Sequence, residues 1–228
     1  MHQKYVIITA GGTGVRMNSS LPKQFMLLHG KPLLIHSISV FLKFSPDIHI
    51  ILVLPEEHGD KWNSLCKKHH FYPPLEVVYG GPTRFHSVKN GLKRVPDDAL
   101  VAIHDGVRPL VSLKTIQQCF HIASKFGNAI PAVNINESVR LMEGAFTKII
   151  NRESLRVIQT PQCFLASKIK AAYHVNYDPS FTDDASVLER TGERLYINEG
   201  NRENIKITNR EDLVVASALM DYIKQKED

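Results

Sequence analysis

Apolar and polar residues follow one another in short blocks whose period switches between two and about three and a half. Residues 5–10 are a compact apolar run with β-branched content, the pattern of a buried strand. Residues 33–44 place apolar side chains at helical spacing and predict an amphipathic helix. The alternation continues with a strand over 49–54, a helix over 56–69, a strand over 75–79 and a short helix over 84–93. A strand over 100–104, a helix over 113–126 and a strand over 129–133 follow. This succession predicts an α/β fold, a mostly parallel twisted sheet with helices on both faces. Such sheets take ligands at the carboxyl ends of their strands, so the loops after Ala10, Tyr79 and His104 are expected to converge.

The pattern then changes. Residues 137–141 and 146–150 alternate around Glu143-Gly144 and predict a hairpin. A lone hairpin has little core of its own, so it is expected to project and to pack on a second subunit. Residues 167–177 and 183–191 read as helical, and 195–197 and 205–207 as strands. Asn209 is placed to cap a last helix, with Asp212 in its first turn complementing the helix dipole. No repeat or linker interrupts the 228 residues, which predicts one domain over 1–228 with an arm at about 137–159.

Composition narrows the class. Hydrophobic residues at 43% and charged residues at 22% argue against disorder. A net charge of +5 suits anionic ligands, but no basic run with interleaved aromatics marks a nucleic-acid surface. Cys66, Cys119 and Cys163 are odd in number and scattered, which reads as reduced thiols, and the expected location is the cytoplasm. Cys66 with His69 and His70 lacks a second pair of ligands for a zinc site. The apolar run 50–54 is too short to span a bilayer.

The chemistry is concentrated in loops. After the first strand comes a loop rich in glycine, Gly11, Gly12 and Gly14, followed by Arg16 and Lys23. Unhindered amides with two cations suit a polyphosphate, whereas a plain strand-to-helix turn does not require the cations. It is not a Walker loop, because Gly30-Lys31 is followed by Pro32. Nor is it a dinucleotide fingerprint, because Met17 stands where the third glycine belongs. An NAD oxidoreductase is therefore disfavoured. Asp105, at the end of the 100–104 strand, is a candidate Mg²⁺ ligand; His104 reads as a packed or orienting residue and Arg108 as its neighbour's partner. A second glycine loop, Gly80 to Ser87, offers backbone and hydroxyl to a base edge. Lys206, within an otherwise apolar stretch, suits a substrate phosphate.

Six segments occur in order: Ala-Gly-Gly-Thr-Gly-Val-Arg-Met (10–17), Leu-Pro-Lys-Gln-Phe (21–25), His-Asp-Gly-Val-Arg-Pro (104–109), Thr-Pro-Gln (160–162), Thr-Asp-Asp-Ala-Ser (182–186) and Glu-Gly-Asn-Arg-Glu-Asn-Ile-Lys-Ile-Thr (199–208). Together they resemble the 2-C-methyl-D-erythritol 4-phosphate cytidylyltransferases of the non-mevalonate isoprenoid pathway. The resemblance implies a Rossmann-like nucleotidyltransferase fold with a protruding β-arm, a homodimer, CTP as substrate and Mg²⁺. It implies that Arg16, Lys23 and Lys206 are catalytic and that Asp105 binds the metal. Ala10, Gly11, Gly12, Gly14, Gly81 and Ser87 would line the CTP site, with Arg84 beside them. Thr160 and Thr182 would surround the polyol phosphate, grouped with Asp105, Arg108 and Asp183. Ser138 and Arg152 would reach the other subunit's site from the arm. The arm reads Glu137-Ser138 where the family commonly has Asp-Thr, and the hydroxyl is retained. The sister family acting on ribitol 5-phosphate shares the glycine loop, and a non-catalytic nucleotide-binding module is the alternative from another class.

Overall fold

The computed structural model describes residues 2–11 and 21–227, so Gly12, Gly14 and Arg16 lie outside the described residues. The first half runs β1 (Lys4–Thr9), β2 (Leu27–Leu28), β3 (Lys31–Pro32), α1 (Leu33–Phe44), β4 (His49–Leu54), α2 (Gly59–Lys68), β5 (Leu75–Tyr79) and α3 (Arg84–Leu92). Then come β6 (Leu100–Asp105), α4 (Leu113–Phe126), β7 (Asn128–Asn134), β8 (Arg140–Glu143) and β9 (Phe146–Ile149). The remainder is β10 (Arg156–Ile158), β11 (Gln162–Leu165), α5 (Ala166–Ala172), α6 (Asp184–Glu189), β12 (Ile197–Glu199) and α7 (Arg210–Glu227).

One eight-stranded sheet has the order β10-β7-β11-β6-β1-β4-β5, with β12 added beside β7. β1 is parallel to both β4 and β6, β4 to β5, and β12 to β7, while β10 and β11 run antiparallel to their neighbours. The central strands are apolar on both faces because both are covered. Val6 and Ile8 enter one core with Leu34, Ile38 and Phe41 of α1 and Ile116 and Phe120 of α4. Ile7, between them, enters the other with Val88 and Leu92 of α3 and Ile169 of α5. The same division sends Leu52 one way and Ile51 and Val53 the other. A third, smaller cluster seats α7 through Ala216 against Leu28, Leu33, Leu110 and Ile207.

The expected elements meet the structure with several differences. The 56–69 segment opens as a 3-10 turn over Glu56–His58 before α2. β10 and β11 were not expected: they are three and four residues long, too short for a period to register, and their place is set by pairing to β7 and β6. Conversely, 205–207 joins no strand ladder. Ile207 is fully buried and its amide donates to Val107 O at 3.0 Å, so its apolar character reflects packing under α7. Asn209 caps α7 as expected, its Oδ1 accepting from Asp212 N at 2.9 Å.

β8 and β9 form the expected hairpin, paired from Arg140 opposite Ile149 to Glu143 opposite Phe146. Gly144, at φ 64, takes the left-handed turn position that side chains disfavour. All eight strand residues are exposed, Phe146 by 80% and Ile149 by 78%. Residues 156–158, expected within the arm, belong to the main sheet.

Candidate active site

Because β1, β4, β5 and β6 are parallel, their carboxyl ends open on one edge. Backbone bonds lace that edge together: Ala10 N donates to Val53 O at 2.8 Å, Gly80 N to Leu54 O at 3.0 Å and Gly106 N to Thr9 O at 2.9 Å. Gln24, fully buried, donates from Nε2 to Ala10 O at 2.8 Å. It thereby brings the turn Lys23–Phe25 alongside the end of β1. Lys23 sits close enough to Asp212, in the first turn of α7, for its charge to help hold that carboxyl below its usual range. There burial opposes the shift and bonds from Thr208 and Asn209 favour it.

The second glycine loop closes on α3. A methyl group on Gly81 would lie 2.5 Å from the His86 Cβ, so only glycine fits there without displacing the helix start. Ser87 Oγ accepts from Gly81 N at 3.1 Å, and Gly11 lies 4.0 Å from the same oxygen, measured from the place its missing Cβ would take. The first and second glycine loops therefore meet at Ser87.

Beyond them is a cleft of about 210 Å³, lined by Arg84, Asp105, Arg108, Thr160, Thr182 and Lys206 among others. Asp105 is its centre. Lys206 Nζ stands 3.0 Å and Arg108 Nε 3.4 Å from its Oδ2, and Arg84 Nε 3.6 Å from its Oδ1. Burial would raise the Asp105 carboxyl, but the charges of Arg84, Lys206 and Arg108 outweigh it and hold the group well below the ordinary carboxylate range. Arg84, Arg108 and Lys206 thus converge on one carboxylate and line the cleft with N–H donors.

His104 is neutral and structural. Burial pushes it down to about 4, against the partly compensating charge of Asp105. Its Nε2 lies 3.0 Å from Arg108 O, an acceptor, so that nitrogen carries the proton. Its Nδ1 then accepts from the Thr160 hydroxyl at 3.0 Å, and Thr160 Oγ1 accepts from Asp105 N at 3.1 Å. The chain His104–Thr160–Asp105 N fixes the backbone from which the Asp105 side chain departs. Because its proton affinity is lower folded than the ordinary 6.5, His104 contributes stability that is complete above about pH 6.5 and lost as pH falls toward 4. Urea unfolding of His104→Gln across this window is expected to show a pH slope smaller by up to about one proton than the parent protein's. An unchanged slope would remove the assignment.

Asp183, expected at the substrate, lines this cleft and also serves as the N-cap of α6. Its Oδ1 accepts from Ser186 N at 2.9 Å and its Oδ2 from Gln162 Nε2 at 2.8 Å. Arg84, expected with the nucleotide, lines the same cleft as Asp105, Thr182 and Lys206, and Asp184 grips its two terminal nitrogens. Arg108 also donates to Asn204 O at 2.7 Å, and Asn204 Nδ2 to Thr160 O at 2.8 Å, binding the 199–208 segment to the cleft floor. Asp184, Gln162 and Asn204 carry this framework, and the sequence reading places them in its marked segments without a role of their own; all three are wholly buried. Adjacent aspartates show no sign of which one caps a helix and which one pairs. Ser138 is exposed, and Arg152 donates to Asn136 O at 2.6 Å; neither is among the residues that line this cleft.

Among the described residues no cluster of three His, Cys, Asp or Glu side chains is arranged to hold a metal on its own. Among the described residues the contact recorded at Asp105 Oδ1 is the long 3.6 Å approach of Arg84, which leaves that oxygen acceptor capacity. That single oxygen fits a hard cation that takes its other ligands from substrate phosphates and water. Among the described residues no helix is long and apolar enough to cross a membrane.

Comparison with known proteins agrees with this geometry. The family model described as 2-C-methyl-D-erythritol 4-phosphate cytidylyltransferase matches residues 4–222. A protein of that name from Bacteroides thetaiotaomicron is 48% identical over 215 residues, covering 94% of this chain and 98% of the relative. The crystal structure of 4-diphosphocytidyl-2C-methyl-D-erythritol synthase from Anaerococcus prevotii superposes with a TM-score of 0.82 at 28% identity, covering 96% of each chain. The Francisella tularensis 2-C-methyl-D-erythritol 4-phosphate cytidylyltransferase does so at 0.79 and 30%, covering 95% of this chain and 99% of that one. With its glycine loops meeting at Ser87 and its cation-rich cleft around Asp105, the chain belongs to the 2-C-methyl-D-erythritol 4-phosphate cytidylyltransferase family.

Proposed function

We propose that this edge of the sheet joins CTP to 2-C-methyl-D-erythritol 4-phosphate, forming 4-diphosphocytidyl-2-C-methyl-D-erythritol and pyrophosphate in isoprenoid precursor synthesis. The observation that carries the reading is the cluster of Arg84, Arg108 and Lys206 around Asp105, beside two glycine loops, in a chain of this family. A phosphate oxygen of the polyol attacks the α-phosphorus, and the bond from that phosphorus to the bridging oxygen of pyrophosphate breaks. The attacking oxygen is ionised at neutral pH, so no general base is needed. Consistently, both nitrogens of the buried His104 are occupied.

Positioning and charge neutralisation remain to be supplied, as in other phosphoryl transfers. Lys206 holds the polyol phosphate, with Arg108, Thr160 and Thr182 around it. Lys23 and Arg16 neutralise the triphosphate, whose backbone cradle is Ala10, Gly11, Gly12, Gly14 and Gly81, with Ser87 beside it. Asp105 would be the protein ligand of a magnesium ion brought with the nucleotide, and that ion would supply neutralisation of phosphate charge.

The decisive assay incubates the protein with CTP and Mg²⁺ and either methylerythritol phosphate or ribitol 5-phosphate, reading pyrophosphate release and product mass. Turnover with the first substrate is expected. Turnover with ribitol phosphate alone would move the protein to the sister activity, and nucleotide binding without turnover would make it a binding module.

The arm is proposed to dimerise two copies, so that Ser138 and Arg152 reach the neighbouring cleft. Its support is the apolar surface of Leu141, Met142, Phe146 and Ile149, which a lone hairpin leaves in water. Phe146→Asp combined with Ile149→Asp is expected to convert a dimer to a monomer in light scattering and to lower activity at least tenfold. A dimer retained by that variant would reject the arm as the interface. A cytoplasmic setting completes the proposal, supported by the free thiols Cys66, Cys119 and Cys163.

A further inference from the structure

We infer that Asp184, together with Tyr173, is a positioning residue for the transfer reaction, acting through Arg84; the inference rests on the activity proposed above. Arg84 opens α3, where a cation faces the positive end of the helix dipole and needs an anionic partner. Asp184 is that partner. Its carboxylate is 0% exposed and accepts Arg84 Nη1 at 2.9 Å and Nη2 at 2.6 Å, a bidentate pair that fixes the guanidinium plane. Tyr173 Oη donates to Asp184 Oδ1 at 2.6 Å, so the carboxylate is itself held. The start of α6 is pinned in turn. Gln162 Oε1 accepts Ala185 N at 2.8 Å, and Gln162 Nε2 binds the Asp183 cap. With both terminal nitrogens engaged, Arg84 turns its remaining Nε toward Asp105 Oδ1 and lines the cleft together with Lys206. A buried pair serving only to join α3 to α6 would not need to end 3.6 Å from the central carboxylate. The rigid tyrosine–aspartate–arginine unit therefore sets where positive charge meets the polyol phosphate.

Asp184→Asn keeps the volume but presents an amide N–H to a guanidinium, which releases Arg84. The expected result is a KM for the polyol phosphate raised about tenfold and kcat lowered about tenfold or more, with the KM for CTP within twofold of the parent. Arg84→Lys is expected to show the same split. The double variant is expected to lose no more than about twofold beyond either single change, because one unit has been broken. Tyr173→Phe retains the ion pair and is expected to raise the polyol phosphate KM about threefold. A folded Asp184→Asn protein with parental KM and kcat, or fully additive losses in the double variant, would overturn the inference. Should Asp184→Asn not fold, Tyr173→Phe decides, and parental kinetics there overturn it equally. A crystal structure of the Asp184→Asn protein with Arg84 still beside Asp105 also overturns it, without reference to turnover. Parent protein inactive with every polyol phosphate would instead defeat the proposed activity.

Discussion

Replacing Asp105 by asparagine is expected to lower kcat/KM by about a thousandfold and to destabilise the protein by about 3 kcal/mol. Asp105 is almost wholly buried and faces Arg84, Arg108 and Lys206 at once. Neutralising it leaves three cations with no shared anion, and breaking a buried ion pair from one side is costly because the other charge stays desolvated. Lys206, 40% exposed, has the freedom to swing toward solvent, and the phosphate subsite goes with it. The sign of the pH effect follows. The carboxyl is held below its ordinary value in the folded protein, so its contribution is complete above the unfolded value near 3.8 and disappears as pH falls further. At pH 7 the parent therefore has the full benefit and the variant none. Thermal unfolding and steady-state kinetics at pH 7 measure both effects. A variant within tenfold of parental kcat/KM would show that the cations, without their anion, suffice.

Lys23→Ala is expected to reduce kcat about a hundredfold while changing the melting temperature little. Losing one preorganised cation from a transferring phosphoryl group commonly costs that much. Lys23 stands on the turn that Gln24 fastens to Ala10 O, next to the glycine loop, and its removal takes away charge without opening a core. Single-turnover measurements with saturating CTP separate the chemical step from nucleotide binding. Near-parental turnover would reject the role. Ser87, by contrast, meets the loops through its hydroxyl and the Gly81 backbone, so Lys23 is the more direct test of the triphosphate subsite.

Much of the fold was legible because period and burial coincide. Val6, Ile7 and Ile8 divide between two cores as a strand buried on both faces must, and α1, β4, β5 and α4 fall on the predicted bounds. The glycine loops and Asp105 were legible for a different reason, since backbone approach and strand-end acids leave a composition signature. The chain alone also carried the expectation that positive charge would gather near the carboxyl edge of the sheet. Tertiary structure alone decided how that charge is arranged. β10 and β11 are strands only because β7 and β6 offer them partners, and 205–207 is not one because it joins no such ladder. Whether Asp183 or Asp184 pairs with Arg84, and whether Thr160 faces a ligand or orders the Asp105 backbone, depends on contacts about 20 to 100 residues apart. Local sequence carries periodicity and turn chemistry; a hydrogen bond between distant segments exists only once packing has brought its donor and acceptor within reach.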